Sequence, residues 1–240
     1  MGRLSWNGGY LGAPPSDTSI GMFNLGSNRF PPESLFGAVY SGALSGPQEN
    51  TGDVIFDWSD INPDNGDVVF LIAVNDTDAG WVDLPTGWVQ VYEHTTGNPD
   101  ALLAYYDCDG TEVGSFTLVD LNYDSAAIWV HCPGAQYETA AEAYGSSGDP
   151  DPPSRSGFAA DDIALAFGCL DDDDAPPTAP PSGYTLTAHA VSGQGSTASS
   201  NGCTVMGAYK NDPAATEDPG AFTTAGDDEW RSFTVRVSKR

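Results

Sequence analysis

The chain has 240 residues, 40% of them hydrophobic, and carries 34 acids against eight basic residues for a net charge of −26. Six Trp, ten Tyr and ten Phe supply enough apolar bulk to exclude an acidic disordered chain. So negative a body argues against nucleic acid as a partner, and no apolar run approaches the 18 residues of a membrane-spanning helix.

Of the acids 26 are Asp, and Lys210 and Lys239 are the only lysines. In dilute buffer such a surface repels itself. At molar salt the Debye length falls to about 3 Å and the repulsion is screened. The composition therefore reads as an adaptation to brine. Its bias toward Asp and away from Lys resembles that of haloarchaeal proteins.

In chain order, residues 1–52 come first and look unlike a folded unit. Gly8-Gly9, Pro14-Pro15 and Pro31-Pro32 interrupt scattered aromatics, and no period of 2 or 3.6 is sustained. This stretch is expected to be an extended arm held by neighbouring subunits, with Trp6, Phe23, Leu25, Phe30 and Phe36 as its apolar contacts. No apolar leader segment follows Met1.

From residue 53 to 240 short β-type runs alternate with turn clusters. Strands are expected at Asp67–Val74, Trp88–Glu93, Ala101–Asp107, Val113–Val119 and Ala126–His131, which form a half spanning 53–143. A Gly/Pro/Ser-rich joint at 144–156 follows. A second half, 157–240, is expected to hold strands at Asp162–Gly168, Tyr184–Ala190, Thr204–Lys210, Ala221–Thr224 and Arg231–Val237. Only Glu138–Tyr144 has helix-forming composition, for about two turns.

The halves resemble each other. Asp67-Val68-Val69-Phe70-Leu71 answers Asp162-Ile163-Ala164-Leu165-Ala166, and Leu84-Pro85-Thr86-Gly87-Trp88 answers Pro180-Pro181-Ser182-Gly183-Tyr184. Leu103-Ala104-Tyr105-Tyr106 is aligned with Met206-Gly207-Ala208-Tyr209. This is an internal duplication with a period near one hundred residues. Four or five strands bury too little alone. The expected fold is therefore all-β, a jelly-roll-like antiparallel sandwich made of two similar halves around a shared core, with two small barrels as the alternative.

The recurring elements are Gly66-Asp67 or Asp161-Asp162 before an apolar strand, then Pro85-Thr86-Gly87-Trp88 or Pro180-Pro181-Ser182-Gly183-Tyr184, then Tyr105-Tyr106 or Tyr209-Lys210. Together they resemble β-sandwich domains in structural proteins of tailed bacteriophages and archaeal viruses. The resemblance covers roughly residues 53–240. With the acidic composition, it implies a virion protein of a haloarchaeal tailed virus.

Candidate chemistry is sparse. No Gly-x-Ser-x-Gly elbow occurs, and His94, His131 and His189 lack motif partners. His94 and His189 fall near equivalent positions after the Gly-aromatic turns, which favours packing, and no enzyme activity is expected. Cys108, Cys132, Cys169 and Cys203 have no metal-binding spacing; free buried thiols are expected, with a Cys108–Cys132 disulfide as the alternative. The Asp107–Glu112 turn offers Asp107, Asp109 and Glu112 as oxygen ligands, and is where calcium would bind if a divalent cation binds anywhere. Asn75-Asp76-Thr77 matches the N-glycosylation pattern. Trp81 and Trp88 are candidates for stacking on sugar rings.

Half of the positive charge lies in the last ten residues, so Arg231, Arg236 and Arg240 are expected to meet an acidic neighbour. The leading expectation is a homo-oligomeric capsid decoration or turret subunit, localised to the virion and contacting a major capsid protein or tail proteins. The alternative is a tail-fibre or adhesin module that binds glycan on a host surface.

Overall fold

The computed structural model describes residues 36–45, 54–75, 84–94, 99–118, 125–171, 177–192, 202–225 and 228–240, all within one compact unit, Ser34–Arg240. Its first half contains β1 (Tyr40–Ser45), β2 (Val54–Asp57), β3 (Val68–Asn75), β4 (Val89–Glu93), β5 (Asp100–Asp107), β6 (Ser115–Leu118) and β7 (Ser125–Cys132). The second half contains β8 (Ala135–Gly145), β9 (Arg155–Ser156), β10 (Ile163–Leu170), β11 (Thr185–Val191), β12 (Thr204–Asn211), β13 (Thr216–Glu217) and β14 (Trp230–Lys239).

The protein is all-β, and each half builds one five-stranded antiparallel sheet. The first runs β1-β7-β3-β5-β4 and the second β8-β14-β10-β12-β11. When strands are numbered by position within their half, both sheets read 1-7-3-5-4. Each half also pairs its second and sixth strands, β2 with β6 and β9 with β13. The duplication thus extends from sequence to topology. Across the sandwich β1 faces β11, β7 faces β12 and β3 faces β10. The strand order of one sheet thus runs opposite to that of the other across the core, with β3 and β10 at the centre.

Three apolar layers result. Between the sheets, Phe70, Ile72, Val74, Ile128 and Val130 meet Leu165, Phe167, Cys169, Phe233 and Val235. Outside the first sheet, Val69, Leu71 and Trp129 lie beneath Phe56, Trp58 and Leu118 of the β2–β6 cover. Outside the second, Ala164, Ala166 and Met206 lie beneath Phe158 and Phe222. Strands β3, β7 and β10 are buried along their whole length. Burial on both faces explains why they read as continuous apolar runs and do not alternate.

Several boundaries differ from expectation. Residues 40–45, assigned to the arm, are strand β1 in unbroken register with β7, from Tyr40 opposite His131 to Ser45 opposite Ala126. The segment 138–144 is not helical but part of β8, because the ladder to β14 overrides the helix propensity of its Ala and Glu. Nor is 144–156 a free joint. Phe222 N donates to Pro150 O, Ser232 Oγ to Asp151 O and Thr234 Oγ1 to Pro153 O, which fastens this segment over β14. The crossing between halves lies instead at Pro133-Gly134, where the chain passes from β7 to β8. Residues 221–224 form only an isolated bridge, Ala179 to Thr223. The ladders also correct the alignment by one residue. Tyr105 lies opposite Phe70 and Tyr209 opposite Leu165, so Tyr105 answers Tyr209.

Candidate functional site

The residue immediately before the central strand is a buried Asp in both halves. Asp67, 5% exposed, precedes β3 and closes its turn reciprocally: Asp64 N donates to Asp67 Oδ2 at 2.8 Å and Asp67 N donates to Asp64 O. Asp162, 3% exposed, precedes β10 and does the same with Ala159, whose amide lies 2.7 Å from Asp162 Oδ2. Each carboxylate then meets a basic side chain on the adjacent long strand. His131 Nε2 lies 2.8 Å from Asp67 Oδ2, and Arg236 Nε donates to Asp162 Oδ2 at 2.6 Å. His131 is paired with Val69 and Arg236 with Ala164, each two residues beyond its Asp, so the two basic side chains occupy equivalent sites.

Asp67 has a further donor, since Gly134 N lies 2.7 Å from Oδ1. Burial pushes the Asp67 carboxyl up, but hydrogen bonds from His131 and from the Gly134 and Asp64 amides outweigh it and hold the group below its usual range. These pairs tie the crossing turn and the start of each central strand to a neighbouring strand. The adjacent thiol takes no part, because Cys132 points into the inter-sheet core while its neighbour His131 faces the other side. All four cysteines are free and buried, and no Cys108–Cys132 disulfide forms. Burial pushes the thiols of Cys108, Cys132 and Cys169 up, which keeps them protonated and unreactive.

Three arginines near the C-terminus find partners within the chain. Arg231 is buried, donates through Nε to Pro99 O at 3.0 Å, and lies 3.7 Å from Glu142 and over the Tyr144 ring. His94 also pairs with Glu142. Arg240 NH2 donates to Asp107 Oδ1 at 2.6 Å. Arg231, Arg236 and Arg240 all have partners in their own sandwich, Arg231 buried, Arg236 a quarter exposed and Arg240 exposed beside Asp107. Lys210 pairs with the buried Glu217. Four of the six Lys and Arg among the described residues are thus ion-paired within the chain.

The calcium ligands are not assembled. Asp107 turns to Arg240, Asp109 Oδ1 accepts from Thr111, and Glu112 accepts from the amides of Asp109 and Gly110. The turn is closed by its own hydrogen bonds. Among the described residues no group of three His, Cys, Asp or Glu could hold a metal ion. Asn75, in the glycosylation pattern, is fully buried at the end of β3. Trp88 packs with Phe56, Trp58, Tyr106 and Phe116 beneath the first cover, so its ring is engaged within the fold and not in the inter-sheet core. Trp81 lies outside the described residues.

The arm contacts divide. Trp6, Phe23, Leu25 and Phe30 lie outside the described residues. Phe36, expected to reach a neighbour, packs with Val39 against the inter-sheet core. His94 and His189 are one step out of register: the two edge strands carry bulges of equal size, and His189 lies opposite Met206, the site that Glu93 occupies opposite Leu102.

The paired latches were missed from sequence, although the signal was present. Asp67 and Asp162 had already been matched, and carrying the alignment into the closing strands places His131 over Arg236. Comparisons with protein-family models, with curated proteins and with solved structures find no match to this chain.

Proposed function

We propose that this chain is a structural subunit of a virus particle that assembles in brine, an acidic sandwich fastened to other virion proteins by the stretch that precedes it. The observation that carries this reading is the partition of charge. Residues 1–45 contain two acids and two arginines, so the whole charge of −26 resides in residues 46–240. Within the sandwich four of the six Lys and Arg pair with its own carboxylates, which leaves its surface dominated by hydrated carboxylates suited to screening salt. A neutral stretch rich in Trp, Tyr, Phe and Leu has the opposite character, that of surface covered by another protein. Capsid decoration or turret subunits, repeated around a closed symmetry, fit a rigid body with one such fastening segment.

The test is a truncation that removes residues 1–35 and stops before Phe36, since Phe36, Val39 and β1 belong to the sandwich. The shortened protein should keep its thermal transition at molar salt but disappear from purified particles, as read by mass spectrometry. Full incorporation of the truncated chain would refute the anchoring role.

A further inference from the structure

The two sheets present four edge strands, and three of them carry features that discourage further pairing. β4 has a bulge at Gln90/Tyr92 and the charged Glu93. β8 has a register shift opposite Arg236/Val237 and carries Glu138 and Glu142. β11 has a bulge between Leu186 and His189. Bulges and charges of this kind are how sheets avoid adding strands. β1 has neither. Its six residues, Tyr-Ser-Gly-Ala-Leu-Ser, are uncharged and keep unbroken register with β7, and among the described residues no strand pairs on its far side. Ala43 is exposed and Ser41 and Gly42 are small, so a further chain could approach the backbone closely.

We infer that the open edge of β1 is a strand-addition site, and that its occupant is the N-terminal segment of a second copy of this chain. This rests on the anchoring reading above and names where the anchor lands. Charge selects the occupant. Even where salt screens their repulsion, acidic surfaces must shed hydrated carboxylates to meet, whereas residues 1–45 are net neutral and include both the proposed donor and β1 itself. Proline limits which part can pair, because it cannot donate to a ladder. Pro14-Pro15 and Pro31-Pro32 bracket residues 16–30, a proline-free stretch containing Ile20, Met22, Phe23, Leu25 and Phe30. That stretch is more than long enough to match the six residues of β1. Main-chain hydrogen bonds would supply affinity and alternate apolar side chains the register, as in other strand-addition complexes.

The experiment compares the full chain, the chain lacking residues 1–35, and full-length Ala43→Lys, which places a charge on the edge. Sedimentation at molar salt reads assembly, and hydrogen exchange reads the backbone amides of residues 40–45. The proposal expects the full chain to assemble and both variants to assemble at least about tenfold more weakly. It also expects the outward amides of β1 to exchange about tenfold faster in the truncated chain. The exchange comparison needs no substitution in β1, so it stands even if Ala43→Lys perturbs folding. Loss of assembly on truncation, with Ala43→Lys and β1 exchange unaffected, would overturn this inference and leave the anchoring reading intact. Unchanged assembly of the truncated chain would overturn this inference and leave the anchoring reading to its own test in purified particles. Protected β1 amides in a full chain that stays monomeric would mean the segment covers its own edge, and would also overturn the inference.

Discussion

The two halves anchor their central strands with the same buried carboxylate and answer it with different basic side chains. In the first half Asp67 meets His131 and two further amide donors; in the second, Asp162 meets Arg236 and the Ala159 amide. Topology and register are otherwise shared, so the difference isolates what a duplicated position requires. A buried carboxylate needs compensating donors, and the first half distributes the task among neutral amides and an imidazole while the second concentrates it in one guanidinium. The covers differ in the same spirit. The first sheet is roofed by an aromatic cluster in which Phe56 and Trp58 sit 4.8 Å apart, the second by the proline-bearing segment 149–153 hydrogen-bonded along β14.

The largest effects test whether the halves are one folding unit. Ile72 and Phe167 occupy equivalent positions on β3 and β10, both fully buried in the shared layer. Ile72→Ala should cost about 2–5 kcal/mol and Phe167→Ala about 3–5 kcal/mol. Since the layer belongs to both sheets, each should shift a single unfolding transition in denaturant, followed by tryptophan fluorescence and by circular dichroism. Two separable transitions, each moved by only one of the variants, would show that the halves fold independently and that the shared core is incidental.

Next come the latches. Arg236→Ala leaves Asp162 buried with an amide donor and no cation, and should cost about 3 kcal/mol, the lower end for a broken buried pair because the guanidinium is a quarter exposed. His131→Ala leaves Asp67 with the Gly134 and Asp64 amides, and should cost roughly 1–2 kcal/mol. Urea titration at fixed molar salt gives both numbers. Equal losses would mean that the extra amides in the first half do not share the carboxylate's charge.

Smaller effects are expected at the duplicated turns. Gly87 and Gly183 both sit at positive φ, 102° and 81°, before an aromatic whose amide bonds back to a proline carbonyl. A methyl group at Gly183 meets open space, so Gly183→Ala should cost about 1 kcal/mol of backbone strain alone. At Gly87 the same carbon would lie 2.5 Å from the Tyr106 ring, which adds overpacking of about 1 kcal/mol or more. The gap between the two melting shifts measures how firmly Tyr106 is held by Trp58 and Trp88.

How much of this was legible follows from where the information lies. The apolar runs of β3, β7 and β10 announced themselves because burial on both faces leaves polar residues only near the strand ends, Asn75 in β3 and Ser125 and His131 in β7. The Asp before each central strand and the Pro-x-Gly-aromatic turn were visible because the duplication repeats them. β1 was not, since Tyr-Ser-Gly-Ala-Leu-Ser is a strand only by virtue of the β7 ladder beside it. β8 was read as helix for the same reason, its Ala and Glu fixed by β14. The partners of the C-terminal arginines were not legible, because charge counting along a chain says nothing of residues more than seventy positions away, such as Asp162 for Arg236 and Asp107 for Arg240.

The finest test separates the two carboxylates by pH. Asp67 is held below its unfolded value near 3.8, so the folded state favours its ionised form. The stability this contributes is fully present above that value and drains away as pH falls through the lower, folded one. Asn at this position keeps a hydrogen-bond acceptor but cannot titrate, so Asp67→Asn should cost no more than about 1 kcal/mol near neutrality. Its stability curve should then converge on that of the parent as the pH drops below 4. Overall acid stability is a poor readout, because protonating many surface carboxylates also relieves the repulsion of a body at −26. The difference between variant and parent cancels that common term. A gap that stays constant from pH 6 down to pH 2.5 would mean that the His131–Asp67 pair holds the strand by shape and not by charge, and that the likeness to Arg236–Asp162 is one of position only.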